Sequence, residues 1–394
     1  MKLLFNLKNI VFILLGVSIP TSVALTNILI VLFVFLWLIE GEWSRKVSKI
    51  KSVKWIWSLI SLAILYMLGL IYGDNHNDSI YVLQRVLLLF FFIPLITTDF
   101  KQSTYRYAII IFLITNLVSA LLAIGINHEI FKPLFVKDLA IPAFLKYNYH
   151  NILLSFSSLL SFFIFAKSKS RYSYLYLIFI VIYSISIFSE AGRAGQLTFN
   201  VFFILYALYF LNKRIKYSLS IIGCLVFVNF YSYNNSGIYK YRVDRLTHTV
   251  QHDGIDKSPN QMKEKNIRYV FHEESYGLIK KKPFFGYGTG SFASVFRNTT
   301  KSSYMYYDHK TPHNNFLYIL FELGLIGLLT FLSFFYFQIK YLFRMFKYER
   351  LYLPLFLLFL MLFDSYLFIF TITVFYQFMF TIFRGIESGS EIKY

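Results

Sequence analysis

Thr311-Pro-His-Asn-Asn-Phe-Leu-Tyr-Ile-Leu-Phe-Glu-Leu-Gly-Leu-Ile-Gly327 ends the one long polar segment of this chain and begins a long apolar one. Thr311 reads as an N-cap and Pro312 suits the first helical position, so the stretch predicts a helix that starts here. His313 then falls in the first turn, beside free backbone N–H groups and the positive end of the helix dipole. Eleven residues are nearly three turns, which puts Gly324 on the His313 face roughly 16 Å further along, with Gly327 close to the same stripe. Glycines on one face of an apolar helix predict close packing. An imidazole at the polar end of such a helix calls for an explanation.

That apolar run is one of many. The chain has 394 residues, of which 57% are hydrophobic and 15% charged, and its mean hydropathy is +0.55. A soluble chain of this length carries more charge and does not repeat apolar runs of about twenty residues. The expected fold class is therefore all-α, a polytopic membrane protein. The net charge of +19 would suggest nucleic acid in a soluble protein. Here most basic residues sit between apolar runs, so topology explains much of the excess and no nucleic-acid partner is expected. The single Cys224 lies inside an apolar run and excludes an intramolecular disulfide, a multi-cysteine metal site and a CxxC redox motif. Lys2 and Lys8 ahead of an apolar run resemble a signal peptide in outline. No small-residue cleavage site follows and a second apolar segment comes at once, so this is read as an uncleaved first helix.

Twelve membrane segments are predicted, at about 9–21, 23–40, 53–72, 79–97, 106–125, 148–166, 172–189, 195–211, 217–232, 313–339, 351–365 and 367–383. Pro20-Thr21-Ser22 splits the first pair and Asp364-Ser365 the last. Loop charge tests the count independently. With the N-terminus inside, the inner segments hold Lys2 and Lys8; Arg45, Lys46, Lys49, Lys51 and Lys54; Lys101 and Arg106; Lys167, Lys169 and Arg171; Lys213, Arg214 and Lys216; Lys340, Arg344, Lys347 and Arg350; and Arg384 and Lys393. The short outer loops Gly73–Asp78 and Asp364–Tyr366 hold neither Lys nor Arg. The bias alternates as twelve helices with both termini cytoplasmic require. The chain is thereby organised as helices 1–9 over residues 1–232, a large outer loop over 233–312, and helices 10–12 with a short tail over 313–394. A smaller outer loop, Ile126–Tyr147, has enough apolar residues to lie against the membrane surface. Within the large loop, apolar residues at 267, 270, 271, 278 and 279 predict an amphipathic helix over Asn266–Ile279. Lys280-Lys-Lys-Pro283 ends it, and Phe284-Phe-Gly-Tyr-Gly-Thr-Gly-Ser-Phe292 forms a glycine-rich turn that returns the chain to the membrane.

Few residues can carry chemistry. A lone interfacial histidine is more often a cap than a catalyst, yet an imidazole titrates near neutrality and His313 could serve as a general base. Arg193 stands in Ser189-Glu-Ala-Gly-Arg-Ala-Gly-Gln-Leu197, a very short outer loop. Pairing with Glu190 or snorkelling to headgroups is the plain account, and a bidentate phosphate clamp is the functional one. Arg268, on the amphipathic helix, reads alone as a solvated charge. So do Arg242, Arg245 and the lysines at 280–282, which would touch anionic headgroups. Gly286, Gly288 and Gly290 superficially match a dinucleotide fingerprint, but no strand precedes them and no βαβ unit surrounds them. Glu322 and Arg85 are intramembrane charges and raise a proton-coupled carrier; one acid and one base make a poor relay. Glu322 lies half a helical turn from the His313 face. His313, His272 and His248 lack zinc-site spacing, so neither metal nor cofactor is expected.

Taken together, these residues match a known family. His313-Asn314, nine residues, then Gly324-Leu-Ile-Gly327 resembles the His-Asn-x9-Gly-x-x-Gly signature of the O-antigen ligase/polymerase superfamily. The small-flanked Arg193, Arg268 on a loop helix and Pro-Phe-Phe-Gly-Tyr-Gly-Thr-Gly at 283–290 follow in the family's order. The motifs cover about residues 145–345. Where members usually read Ser-Arg, this chain has Gly192-Arg193. The resemblance implies a metal-independent inverting glycosyltransferase that uses an undecaprenyl-diphosphate-linked glycan as donor. It makes Arg193 and Arg268 diphosphate ligands and His313 the base or a stabiliser of the leaving group. Asn314, Gly288 and Gly290 are expected to contact substrate. The expected acceptor is lipid A-core oligosaccharide, at the periplasmic face of a bacterial inner membrane among its lipids. A polymerase or a protein O-oligosaccharyltransferase is the nearest rival. The histidine signature and a chain that ends soon after the twelfth helix favour the ligase. A polysaccharide flippase is the non-enzyme rival. It would place charge through the membrane interior, whereas these charges cluster at the outer edge.

Overall fold

The computed structural model describes residues 2–74, 76–132, 141–168, 170–211, 215–252, 267–299, 310–345 and 350–386. Among them there is no strand, and every one of the twelve apolar segments is helical. Eight helices are long and apolar enough to cross a membrane. They are α1 (Lys2–Thr21), α5 with α6 (Asp78–Thr97), α7 (Gln102–Asn127), α8 (Tyr147–Lys167), α9 with its 3-10 lead-in (Arg171–Ser189), α10 (Arg193–Leu211), α11 (Ile215–Asn235) and α15 (Asn315–Arg344). A ninth candidate is α2 (Val23–Ile39) taken with α3 (Trp43–Ser52), bent by 115°. The helices α4 (Lys54–Gly69), α16 (Tyr352–Leu360) and α17 (Phe370–Gly385) have 16, 9 and 16 residues. All three are shorter than the roughly 20 residues of a straight crossing. The expectation of twelve crossings therefore rests on loop charge and not on helix length.

The chain forms two compact units. The first comprises Met1–Lys8, Ile30–Lys101 and Ser258–Ser388; the second comprises Asn9–Leu29, Gln102–Lys257 and Gly389–Tyr394. The large polar loop is divided between them. Helix α12 (Gly237–His252) goes with the second unit, while α13 (Ile267–Ile279) and α14 (Phe292–Thr299) go with the first.

In the first unit, α15 packs along α4 over an aromatic core in which Trp55 meets Phe92, Phe334 and Phe380 edge-on. The α2–α3 bend is made by Gly41 and Glu42, whose φ values of 71° and 53° both lie in the left-handed region. Beside it the Glu40 carboxylate accepts from Lys8 and Lys46, and Lys46 Nζ sits 4.5 Å over the Trp37 ring.

Helix α15 is not continuous. Gly324, expected as a packing glycine on an unbroken helix, has φ 65° and ψ −164°. That conformation is essentially open to glycine alone. The break removes two helical bonds, and residues 283–288 replace both. The carbonyls of Phe321 and Glu322 accept from the N–H groups of Tyr287 and Gly288 at 2.9 Å each. On the other side of the break, the N–H of Leu325 donates to Pro283 O at 2.8 Å and that of Ile326 to Phe284 O at 3.4 Å. Backbone left unpaired in a membrane costs several kcal/mol per group, so a break here requires such a partner. The same turn also caps α4. Thr289 N donates to Gly69 O at 3.0 Å and Thr289 Oγ1 to Tyr66 O at 2.6 Å. Ser79 Oγ donates to Thr289 O, and Tyr72 OH to Phe285 O.

The second unit is built on α8, whose residues are buried on nearly every side. Two of its serines bond to backbone: Ser155 Oγ donates to Gly195 O at 2.7 Å and to Asn151 O at 2.8 Å, and Ser158 Oγ donates to Leu154 O at 2.9 Å. His150, 2% exposed, lies between Ser119 Oγ (3.2 Å) and Ser186 Oγ (3.3 Å).

Candidate functional site

The candidate residues fall in both units, and each group stands on its own local geometry. In the first unit, the helix that carries His313 starts later than its sequence suggests. Asn314 is the N-cap of α15, with its Oδ1 accepting from Leu317 N at 3.0 Å. Thr311 is not the cap and His313 is not in the first turn. The physical reason is the His313 backbone, whose φ of 54° is left-handed and cannot belong to a helical turn. Asn314 outcompetes Thr311 as a cap because it alone has extended backbone directly before the helical run.

Outside the helix, the His313 ring is half-buried, and among the described residues it meets Asp364 and Phe271. Its Nδ1 lies 3.1 Å from Asp364 Oδ1, and its ring centroid is 6.0 Å from that of Phe271 on α13. A carboxylate can only accept, so the neutral ring carries its proton on Nδ1 and presents Nε2 as an acceptor. Asp364 sits in the turn between α16 and α17, which is anchored back on α15. Asn315 N donates to Met361 O at 2.9 Å, Leu367 N donates to Asn315 Oδ1 at 3.0 Å, and Asn314 Nδ2 donates to Leu362 O at 3.2 Å. Residue types alone marked Asp364 only as a divider between two helices. Its partner is 51 positions away, and no local signal reveals it.

Asn314, the residue after His313, borders a cavity of about 400 Å³ that is also lined by Leu317 and by His272, Glu273 and Tyr276 of α13. The amphipathic helix expected over 266–279 is thus present and forms one wall. Arg268 lies in its first turn, four residues before His272, at a register shared with His272 and Tyr276. The Arg268 side chain is outside the described part of the structure, as are the side chains of Arg245 and His248. Asn314 borders the cavity, and its amide is engaged as cap and strut. Gly288 and Gly290 do not border it. Both are buried, with their N–H groups bonded to Glu322 O and Glu322 Oε1 at 2.9 Å. A Cβ at Gly290 would meet Ser79 N at 2.3 Å, and one at Gly288 would meet Gly73 Cα at 2.6 Å. Their N–H groups hold the turn and are not available to a substrate. Glu322 likewise serves the turn.

In the second unit, Arg193 is the first residue of α10 and is exposed. The loop before it is clasped from several directions. Asn151 Nδ2 donates to Ile187 O (3.1 Å) and Gly192 O (3.4 Å), and Gln196 Nε2 donates to Glu190 O (2.8 Å). The two flanking glycines allow this, since a Cβ on Gly192 or Gly195 would fall 2.5 Å from an Asn151 atom. Glu190 does not pair with Arg193. It is 5% exposed and accepts from Asn127 Nδ2. Burial lifts its carboxyl above the ordinary value, and the Asn127 bond offsets part of that. Instead, a second arginine approaches. Arg242 of α12 donates from Nη1 to Ala191 O, two residues before Arg193. Burial, and next the charge of Arg193, push its guanidinium below the usual value. An arginine remains a cation throughout. Among the described residues, neither arginine has an ion-pair partner.

Residues 156–332 match the family described as O-antigen ligase. The matched segment contains Arg193, Arg242, Arg268, His313 and both signature glycines, while Asp364 lies beyond it. Comparison with curated proteins finds no match.

Proposed function

We propose, from the match of residues 156–332 to the family described as O-antigen ligase, whose members act on lipid-linked glycans, that the chain is itself an O-antigen ligase. The chain transfers an undecaprenyl-diphosphate-linked polysaccharide onto lipid A-core at the periplasmic face of the inner membrane. The observation that carries this reading is the His313–Asp364 pair, whose chain neighbour Asn314 borders the α13–α15 cavity. With Nδ1–H held by Asp364, Nε2 accepts the proton of the acceptor hydroxyl as its oxygen attacks the anomeric carbon. The C1–O bond to the diphosphate breaks with inversion, and the leaving group takes the electron pair. Its charge is met by guanidinium groups, Arg193 and Arg268 in the assignment carried from the family resemblance. No metal or nucleotide is needed, because the donor's own diphosphate is the leaving group.

The test is to deplete the protein and display cell-envelope polysaccharide and polyprenyl-linked intermediates on gels. Loss of the long lipopolysaccharide ladder with long glycan accumulating on the carrier is expected. Single repeat units on the carrier would indicate a polymerase, and glycan lost from proteins would indicate a protein O-oligosaccharyltransferase. His313→Ala should fail to restore the ladder at normal protein level; restoration would remove His313 from the reaction.

A further inference from the structure

We propose that Arg242 is a further diphosphate ligand, forming with Arg193 a two-guanidinium clamp that selects a lipid diphosphate over a lipid monophosphate. The proposal rests on the donor class assigned above. Taken as sequence, Arg242 is one more basic residue on a polar loop helix. The fold gives it a defined place. Tyr239, one turn earlier on α12, stacks edge-on against Phe188 at 5.2 Å and donates through its hydroxyl to Asn229. Asp244, two residues later, accepts from Tyr233 OH at 2.7 Å. These contacts fix α12 against α9 and α11, and Arg242 is delivered to the Ala191 carbonyl at the mouth of the 190–193 loop.

The electrostatics of this place ask for an anion. The nearest carboxyl in sequence, Glu190, is turned inward to Asn127 and neutralises neither guanidinium. Asp244, on the same helix as Arg242, is engaged with Tyr233 and forms no ion pair with either arginine. Two cations held together with no acid between them among the described residues repel each other, an arrangement that recurs where a ligand supplies the missing charge. An arginine has five N–H donors, and the bond to Ala191 O uses one. The bond orients the guanidinium while leaving donors for phosphate oxygens. Arg193 alone would bind one phosphate. A pair spreads its donors over two, which is what separates the lipid diphosphate donor from the monophosphate formed when it is recycled.

The experiment measures binding of undecaprenyl diphosphate and undecaprenyl monophosphate to the full chain in nanodiscs. The wild type should prefer the diphosphate. Arg242→Gln keeps an N–H for Ala191 O but removes the charge, and it should weaken diphosphate binding about tenfold. Monophosphate binding should stay near its original value and the melting temperature should not change. Arg242→Lys should restore most of the preference. If Arg242→Gln binds the diphosphate as tightly as wild type while Arg193→Ala does not, Arg242 is only a strut and the proposal fails. A wild type that binds neither lipid would instead overturn the donor class on which the proposal rests. Should Arg242→Gln fold poorly, Arg242→Lys decides alone, since a strut role predicts lost stability with unchanged selectivity.

Discussion

Arg193 follows a glycine-flanked helix interruption, and His313 precedes a helix that is broken at Gly324, but the two interruptions are held by different bonds. Ahead of Arg193, side chains do the holding: Asn151 and Gln196 reach into the loop and bond its carbonyls. Along α15, backbone does it, as the turn at 283–288 takes over both hydrogen bonds lost at Gly324. A side-chain clasp tolerates change, because a neighbour can repack or a water can enter. A backbone exchange tolerates little, since each partner is fixed by the position of the whole segment. The difference predicts a ranking of mutational effects.

The largest effect is expected from Gly324→Ala. Alanine is strained at φ 65°, ψ −164°, and its Cβ would fall 2.2 Å from Phe284 C. Strain and backbone clash together should cost about 3 kcal/mol or more, seen as lost yield and a lowered melting temperature in detergent. A stable Gly324→Ala protein would mean that the helix does not need the break. Gly195→Ala comes next. Its backbone is ordinary, so only space opposes the methyl group, with Asn151 Cβ and backbone at 2.5–2.6 Å. Overpacking of this kind costs about 1–3 kcal/mol. Because the shift falls two residues from Arg193, activity should drop more than stability does. Equal melting points for the two alanine variants would erase the distinction between the regions.

Such a ranking could not have been drawn from sequence, although much else could. Apolar runs located all twelve helical segments, and the spacing of 267, 270, 271, 278 and 279 located α13 to within a residue. Arg193 stood out because a short loop between apolar helices concentrates attention on a single charge. What was hidden depends on long-range pairing. A glycine within an apolar helix fits a packing stripe as well as it fits a break, and nothing within 315–344 distinguishes them; the complementary signal is 40 residues earlier, in the Phe284-Phe-Gly-Tyr-Gly-Thr-Gly290 turn. Asp364 is as remote from His313. The placement of the cap failed for a local reason, because Thr311-Pro and Asn314 are both good helix starts and the left-handed His313 decides between them.

Asp364→Asn tests the pair without disturbing either interruption. The amide oxygen still accepts from Nδ1, so the ring should keep its place while the charge that stabilises an imidazolium is lost. Turnover is expected to fall about 10- to 100-fold at unchanged melting temperature. Unchanged turnover would reduce Asp364 to an anchor of its turn.

The smallest effect should come from Glu322→Gln, and its small size is informative. The Glu322 side chain is buried and its Oε1 accepts from Gly290 N at 2.9 Å, so it ties the tip of the turn to the helix just before the break. If the backbone exchange is what docks the turn, the side chain need only supply an acceptor. A glutamine oxygen does that, and stability should change by less than about 1 kcal/mol. Glu322→Ala removes the acceptor, strands a buried N–H and should cost about 1–3 kcal/mol. Were glutamine to destabilise the protein as much as alanine, the carboxylate charge would be the element that secures the turn. The α15 break would then be held by a side chain after all, as the Arg193 loop is.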